Sequence, residues 1–223
     1  MPVYNEEEAI TSVLDEWRKQ LDSLQINYTF CILNDGSKDT TLSILNKYAD
    51  HYPQLKIIDK SNSGHGQTCL TGYRIALESK AEWILQLDSD GQCDPQYLPK
   101  FIAASSNSKA VYGYRKHRED GFARFLISRF VTLFTLAATG KWIKDANVPY
   151  RLVSADLMQS SVPKIQDDFF LVNIYLSVLI SQQTRIKWVD ITFRDRSGGS
   201  PSIKTFSFVK HGVTLFKQLR AAQ

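Results

Sequence analysis

Short apolar runs rich in β-forming residues alternate with segments of helical periodicity through positions 6–87 of the chain. The apolar runs lie at positions 28–33, 56–58 and 82–87, and the helical segments at 6–24, 40–52 and 67–79. Such alternation is typical of a parallel sheet covered by helices, because parallel neighbours require a long crossover connection. The pattern therefore predicts an α/β fold with a mostly parallel central sheet flanked by helices.

Polar, acidic or glycine-bearing loops follow each of these predicted strands, at positions 34–37, 61–66 and 88–91. In open α/β sheets ligands bind at the carboxyl ends of the strands, so these loops form the candidate binding edge. The chain starts at a loop of the same kind, where the fold should start with a buried strand. We therefore expect a truncated first strand, either absent or reduced to a stub at positions 1–3.

No repeat, low-complexity segment or linker divides the chain, and 223 residues suffice for one sizeable α/β domain. We expect a single domain over residues 1–223. A content of 43% hydrophobic and 22% charged residues is that of an ordinary soluble globular protein. The net charge of +4 is spread along the chain and permits an anionic partner. Nucleic acid is disfavoured as a partner, since acidic pairs occupy the positions where a basic face would be needed.

Cys31, Cys69 and Cys93 are far apart and odd in number, which argues against a disulfide framework or a structural zinc site. The acidic start lacks the basic and apolar stretches of a signal peptide. No uncharged apolar run reaches the roughly 20 residues that span a bilayer. The expected location is therefore cytoplasmic.

Asp88-Ser89-Asp90 directly follows the apolar run EWILQL. Two carboxylates at a strand end can hold a hard divalent cation and reach a ribose hydroxyl, and Mg²⁺ and Mn²⁺ prefer such oxygen ligands. A D-x-D pair is weak on its own, because such pairs also cap turns. Its position after a predicted strand favours the metal-binding interpretation.

Seven segments occur in an order that matches a known family. They are Pro2-Val3-Tyr4-Asn5-Glu6, Asn34-Asp35-Gly36-Ser37-Lys38-Asp39-Thr40, Asn62-Ser63-Gly64-His65-Gly66, Leu87-Asp88-Ser89-Asp90-Gly91-Gln92, Gly113-Tyr114-Arg115, Asp145-Ala146-Asn147-Val148-Pro149-Tyr150-Arg151-Leu152 and Phe193-Arg194-Asp195-Arg196-Ser197-Gly198-Gly199-Ser200. The chain resembles the family 2 glycosyltransferases with the GT-A fold, and most closely their dolichol-phosphate mannose synthase-like, polyprenyl-phosphate branch. The segments cover most of the chain, so coincidence is a poor explanation for them.

The resemblance implies a nucleotide-sugar-binding half over residues 1–110 and an acceptor-binding half over 111–223. The residues that it implies at the nucleotide base and ribose are Pro2, Tyr4, Glu6 and Asp35, with Asp88 near the ribose and Asp90, together with Asp88, at the Mg²⁺ or Mn²⁺. Gly64 and Gly66 would let backbone N–H groups and the next helix approach the nucleotide, or would form a simple turn. Two positions depart from the family: Asn34 replaces the first of two paired aspartates, and His65 stands where a small or basic residue is common.

Asp145 is implied beside the acceptor, as a base or as an orienting carboxylate, while Arg151 would hold it or bind phosphate. Asp167 and Asp168 are rivals for that role, although an acidic pair is also a common helix N-terminus signal. Arg194 and Arg196 alternate along a strand-like segment, so they should share a face. Followed by Gly198-Gly199-Ser200, they suit a diphosphate or lipid phosphate, or form a solvated basic strand end.

The segment at 122–138 is apolar and aromatic, yet it contains Arg124 and Arg129. It predicts either a helix lying in the membrane interface or a helix packed on the sheet. Phe206, Val209, Val213 and Phe216 recur at helical spacing, which suggests a second interfacial helix.

The resemblance, together with these residues, implies an inverting, metal-dependent transfer of a hexosyl group from a UDP- or GDP-sugar. The predicted acceptor is a polyprenyl phosphate at the inner face of the plasma membrane. It is favoured by the Asp-Gly-Gln sequence at the metal motif, with Gln92 as an acceptor- or phosphate-binding residue, by the basic apolar helix at 122–138 and by the two arginines. Transfer to a glycan hydroxyl and an inactive nucleotide-binding module are the alternatives, and a homo-oligomer is left open. A Rossmann-type dehydrogenase is disfavoured, since no G-x-G-x-x-G follows a predicted strand.

Overall fold

A computed structural model of the protein describes residues 1–118, 122–167, 169, 171–196 and 220. The strands are β1 (Pro2–Val3), β2 (Phe30–Asn34), β3 (Leu55–Asp59), β4 (Trp83–Gln86), β5 (Ala110–Arg118), β6 (Arg151–Ser154) and β7 (Lys187–Phe193). The helices are α1 (Ile10–Ser23), α2 (Thr41–Ala49), α3 (His65–Glu78), α4 (Leu98–Ser105), α5 (Phe122–Thr139), α6 (Ala155–Ser161) and α7 (Val172–Gln183), with 3₁₀ turns at Pro95–Tyr97 and Val162–Lys164.

The described strands form two sheets. In the first, β1, β2 and β3 are all parallel, with Pro2 opposite Leu33 and Phe30 opposite Leu55. The second has the order β4-β6-β5-β7; β6 is antiparallel to both neighbours, while β5 and β7 are parallel. The predicted α/β fold with flanking helices is confirmed, although the second sheet is mixed. The short first strand is the two-residue stub β1.

The apolar positions predicted for α1 face the core. Val13, Leu14, Trp17 and Leu21 are buried, and their spacing of three and four residues places them on one side of the helix. Trp17 meets Tyr150 edge to face at 5.6 Å, and Phe101 stacks on the same tyrosine at 4.3 Å. One hydrophobic core therefore includes side chains from both halves of the chain.

The described part of α5 both packs on the core and exposes an apolar side chain. Thr132, Thr135 and Ala138 are buried, whereas Leu133 is 58% exposed, as is Trp142 beyond the helix at 59%. Within the portion of the chain that the structure describes, no helix is both long and apolar enough to cross a bilayer. The helix predicted around Phe206–Phe216 lies outside the described residues.

Candidate active site

Asp35 lies directly after β2 and is tied to the glycine-bearing loop that leads into α3. Its Oδ1 accepts hydrogen bonds from Lys60 Nζ at 2.5 Å and from the Ser63 amide at 2.9 Å. Its Oδ2 accepts from the Gly64 amide, also at 2.9 Å. Burial raises the pKa of this carboxyl, but the hydrogen bonds from Lys60 and Ser63 outweigh burial and hold the pKa below its ordinary value.

The backbone of this loop approaches Gly36 closely. Gly36 has φ +67°, and a Cβ built on it would lie 2.9 Å from the Asn62 backbone nitrogen. Asn62 in turn donates from Nδ2 to the Asp35 carbonyl at 2.8 Å. The turn after β2 and the loop before α3 are therefore packed against each other at the sheet edge, and glycine is required at their contact.

Asn34, where the family pairs two aspartates, has a clear physical role. It is 1% exposed, donates from Nδ2 to Asp59 Oδ1 at 2.7 Å and accepts from Ser37 Oγ at 2.6 Å. A carboxylate at this position would have no hydrogen to give and would face the Asp59 carboxylate. The amide thus suits the neighbouring Asp59.

Asp88 and Asp90 follow β4 on the loop expected to hold a metal. Asp88 Oδ1 is buried without a hydrogen-bond partner in the described part of the chain, and the ring of His65, the first residue of α3, lies 3.7 Å away. Asp90 Oδ1 accepts from the Gln92 amide at 3.2 Å. Burial, and then the nearby Asp88 charge, raise the pKa of Asp90 to about 6. Both facts indicate a site built to receive positive charge.

Glu6 and Arg196 connect this loop to the start of the chain. Arg196 forms ion pairs with Glu6 Oε1 and, at 3.6 Å, with Asp90 Oδ2. Glu6 Oε2 is buried and lacks a hydrogen-bond partner among the described residues. Burial raises the pKa of Glu6 to about 7, even though the Arg196 charge lowers it. Burial therefore opposes ionisation of Glu6, as it does of Asp90.

A divalent cation fits these residues if a bound diphosphate supplies some of its ligands. Across the described ranges no group of three or more His, Cys, Asp or Glu side chains could hold a metal by itself. Mg²⁺ is commonly held by one or two carboxylates, with substrate phosphates as further ligands. The unpartnered Asp88 oxygen and the neighbouring Asp90 meet that description, so the donor set fits a cation shared with a diphosphate.

Both carboxylate oxygens of Asp145 accept hydrogen bonds from Arg115. Arg115 belongs to the Gly113-Tyr114-Arg115 segment, and the sequence predicts no role for it. Arg115 Nε donates to Oδ2 at 2.6 Å and Nη2 donates to Oδ1 at 2.7 Å, a two-pronged contact between largely buried groups. The neighbouring Tyr114 ring has two cations over it, Lys144 Nζ at 5.4 Å and the Arg129 guanidinium at 5.9 Å. Positive charge is thus concentrated next to Asp145.

Arg151 does not hold Asp145, and that prediction is wrong. Its side chain is buried, at 1% exposure, and donates to the carbonyls of Val148 and Asn173 and to Ser177 Oγ. Its guanidinium also lies 4.9 Å from the Tyr112 ring centroid. Because its donors bind acceptors of the protein itself, Arg151 links the 145–150 loop to α7 and is enclosed in the core.

Arg194 and Arg196 lie just beyond the end of β7, not on a strand as predicted. Arg194 pairs with Glu16 and Asp94, each at 2.7 Å, so neighbouring carboxylates balance its charge. Gln92 is buried, and its side-chain Nε2 donates to the Arg194 backbone carbonyl at 2.9 Å. The backbone carbonyl of Gln92 accepts from the Arg194 backbone amide at 3.2 Å. These two hydrogen bonds of Gln92 therefore join the metal-motif loop to the segment after β7.

The remaining predicted residues are distributed as follows. Pro2 is in β1, Tyr4 is 36% exposed just after it, Gly64 precedes α3 with φ +84°, and Gly66 is the second residue of α3. Asp167 lies five residues before α7 begins and pairs with Arg74 at 2.7 Å, so it does not cap that helix. Asp168, Gly198, Gly199 and Ser200 lie outside the described residues.

The sequence alone predicts no role for Lys60 or Arg115. Lys60 directly follows β3, the strand next to β2, and that position was the signal that could have indicated a partner for Asp35. No comparable signal paired Arg115 with Asp145, since 30 residues separate them.

Comparisons with known proteins agree with this geometry. The chain is 25% identical to a dolichyl-phosphate beta-glucosyltransferase of Trichomonas vaginalis. The match covers 96% of this chain and 68% of that protein. It is 27% identical, over 65% of its length, to an undecaprenyl-phosphate 4-deoxy-4-formamido-L-arabinose transferase of Proteus mirabilis, of which it spans only 44%.

Among solved structures, a glucosyl-3-phosphoglycerate synthase of Mycobacterium tuberculosis, in complex with Mn²⁺, uridine diphosphate and phosphoglyceric acid, covers 99% of this chain. The chain covers 74% of that protein, with a TM-score of 0.66 at 17% identity. This likeness confirms the predicted GT-A fold. The sequence profile of glycosyl transferase family 2 matches residues 1–165, which is most of the chain. The protein therefore belongs to glycosyl transferase family 2.

Proposed function

We propose that this protein is an inverting, metal-dependent glycosyltransferase that moves a hexosyl group from a UDP- or GDP-sugar to a polyprenyl phosphate. Residues 1–110 bind the donor and residues 111–223 bind the acceptor, within one domain. The two relatives named for dolichyl-phosphate and undecaprenyl-phosphate support this acceptor class. The structural neighbour in complex with Mn²⁺ and uridine diphosphate supports a metal and a nucleotide donor.

The observation that carries the proposal is an acidic site beside a basic one at a single edge of the fold. Phe193, at the end of β7, forms a bridge with Cys93 of the metal-motif loop. The Arg115 guanidinium lies 5.1 Å from the centroid of the same Phe193 ring. Phe193 thus joins the two groups, its backbone bridged to the carboxylate loop and its ring beside Arg115 of the Arg115–Asp145 pair, which suits a cationic metal and an anionic acceptor bound near each other.

On the donor side, Asp88 and Asp90 would hold Mg²⁺ or Mn²⁺ together with the diphosphate, while Asp35, Glu6 and Tyr4 surround the nucleoside. When bound, the cation supplies positive charge that stabilises the departing diphosphate. Arg196, which pairs with Asp90 and Glu6, is a second cation within reach of that charge.

On the acceptor side, a lipid phosphate is already largely ionised near neutral pH, with a second pKa of about 6. It needs charge compensation and positioning more than a base. Arg115, Arg129 and Lys144 supply the positive charge around Tyr114. Asp145, with both oxygens bound by Arg115, orients that guanidinium.

A lipid acceptor requires approach to a membrane surface, and exposed side chains in and just after α5 suit it. Leu133 and Trp142 are more than half exposed, and Lys141 follows α5 beside Trp142. Exposed aromatic and aliphatic side chains next to lysines suit the interface of an anionic bilayer. We assign this surface, formed by Leu133, Lys141 and Trp142, to peripheral membrane contact.

The test is transfer of radiolabelled sugar from UDP-glucose or GDP-mannose, with Mn²⁺ or Mg²⁺, to polyprenyl phosphate in vesicles. Label that becomes extractable into organic solvent supports the proposal, and chelator should abolish it. Transfer to soluble glycans alone would overturn the lipid acceptor. Nucleotide binding without any transfer would identify an inactive binding module instead.

A further inference from the structure

The Asp35 carboxylate has little hydrogen-bonding capacity left for a ligand. An ionised carboxylate offers about four lone-pair sites, two on each oxygen, and no donor. Lys60 Nζ and the Ser63 amide occupy both sites on Oδ1, and the Gly64 amide occupies one on Oδ2. The same hydrogen bonds hold the pKa of Asp35 below its ordinary value, so the group stays ionised. The Thr68 hydroxyl also interacts with this carboxyl, so at most one acceptor position, on Oδ2, is left.

Lys60 is fixed in this arrangement and does not compete for other partners. Its ammonium group has three hydrogens. It donates to Asp35 Oδ1 at 2.5 Å, to the Ser61 carbonyl at 2.8 Å and to Ser63 Oγ at 2.6 Å. The side chain is 19% exposed, and its backbone amide continues the pairing with β2 by donating to the Asn34 carbonyl at 3.1 Å. The lysine therefore fills one acceptor site on Oδ1 and has a protein partner for each of its three hydrogens.

Uracil and guanine, the bases of the two proposed sugar nucleotides, present different sets of N–H donors to a carboxylate. Uracil presents one N–H, at N3, between two carbonyl oxygens. Guanine presents two adjacent donors, the N1 hydrogen and the N2 amino group, which pair with a carboxylate only if each oxygen offers a free position. With Oδ1 filled, Asp35 can accept at most one N–H, never two, and a buried donor left without a partner is disfavoured.

We propose that Lys60 is a specificity-determining residue: by filling Asp35 Oδ1 it makes the base pocket select uridine diphospho-sugars over guanosine diphospho-sugars. The inference rests on the proposed function, in which Asp35 faces the nucleobase. Lys60 acts through Asp35 and is a positioning residue, because its own hydrogens are committed to the protein.

The test is isothermal titration of UDP and of GDP, each with Mn²⁺, into the full chain. The wild-type protein should bind UDP about tenfold or more tightly than GDP. Lys60→Met opens a position on Oδ1, so the ratio of the two dissociation constants should fall at least about fivefold. Lys56→Met removes an exposed lysine from the neighbouring strand β3 and should leave the ratio unchanged.

The outcomes separate the inference from the function on which it rests. If neither nucleotide binds, the proposed function fails. If GDP binds as tightly as UDP to the wild-type protein, only the base selectivity is overturned, and no variant is needed for that result. If Lys60→Met weakens UDP and GDP equally while circular dichroism shows a folded chain, Lys60 has a structural role alone and its part in selectivity is overturned.

Discussion

Arg115 binds both carboxylate oxygens of Asp145, with its Nε 2.6 Å from Oδ2 and its Nη2 2.7 Å from Oδ1. Both side chains are largely enclosed, at 12% and 5% exposure, so water competes little for the contact. The planar fork of arginine matches a carboxylate in a way that a lysine cannot. This pair fixes the geometry of the candidate acceptor side before any ligand arrives.

Replacing Arg115 by lysine keeps the charge but removes the two-pronged contact. We expect kcat/KM for the lipid acceptor to fall about 30-fold, mainly through the acceptor KM, because positioning is lost. The dissociation constant for the nucleotide should not change. Lys116→Met is the control, since that exposed side chain pairs with Asp190 on the surface. An unchanged acceptor KM in Arg115→Lys would show that the pair has no role in acceptor binding.

Asp90→Asn should uncouple nucleotide binding from the metal. The amide removes a negative ligand from the candidate cation site, so the dissociation constant for UDP with Mn²⁺ should rise to within about threefold of its value with chelator. Titration calorimetry measures both values. The control is Asp190→Asn, an exposed carboxylate on β7. Metal-dependent binding that survives Asp90→Asn would contradict the assignment.

Gly36→Ala should destabilise the protein more than Gly140→Ala. The two glycines have nearly equal φ angles, +67° and +68°, so alanine carries a similar conformational penalty of about 1 kcal/mol at each. At Gly36 the new Cβ would also lie 2.9 Å from the Asn62 nitrogen, whereas nothing lies within 4 Å at Gly140.

Urea unfolding should therefore give a loss of about 2–4 kcal/mol for Gly36→Ala, the excess over Gly140→Ala coming from overpacking. Nucleotide affinity should fall only in the first variant, because the displaced loop carries Ser63 and Gly64. Equal losses of stability in both variants would mean that the turn and the loop are not in contact in solution.

Glu6 should make the unliganded protein less stable as the pH rises. Burial raises its pKa from 4.5 to about 7, so between these values the folded protein binds a proton that the unfolded chain has released. Stability therefore falls from pH 4.5 to pH 7 and stays lower above it. The difference amounts to roughly 3 kcal/mol.

Glu6→Gln should remove this pH dependence. Thermal unfolding should give equal stability for variant and wild type near pH 4, with the variant more stable at pH 8, while nucleotide binding is weakened. Greater stability of the wild-type protein at pH 8 would show that the Arg196 ion pair outweighs burial.

Trp142→Ser should weaken binding to anionic vesicles about tenfold, because the exposed indole no longer enters the bilayer interface. Co-sedimentation with vesicles of phosphatidylglycerol and phosphatidylcholine measures the effect. The matched control is Trp83→Ser, which removes a tryptophan 36% exposed on β4. Equal effects of both substitutions would show that the surface formed by Leu133, Lys141 and Trp142 is not the membrane contact.

The helices and strands of the first half could be predicted because local periodicity determines them. The strand predicted at 28–33 is β2 at Phe30–Asn34, and the helix predicted at 67–79 is α3 at His65–Glu78. The start of α1 was placed too early, since Asn5 adopts φ 52° and the Glu6 carbonyl accepts the turn hydrogen bonds from Ala9 and Ile10.

The partners of charged side chains could not be predicted in the same way. Arg115 and Arg151 each follow a tyrosine in the sequence, yet one binds Asp145 and the other is buried in the core. The difference depends on carbonyls of Val148 and Asn173 that only the tertiary fold brings together. Motif order predicted which residues gather at the sheet edge, but not which ones bind each other.

The hydrogen bonds between Gln92 and Arg194 join positions 102 residues apart, and the Arg196–Glu6 pair spans 190. Contacts of such long range form only after the intervening chain has collapsed. During synthesis, then, the carboxylates of the first half emerge from the ribosome long before the arginine that neutralises them. A fragment ending near residue 110 would carry every carboxylate of the donor site but neither Gln92's partner nor Arg196, so donor binding matures late, when the last strand docks.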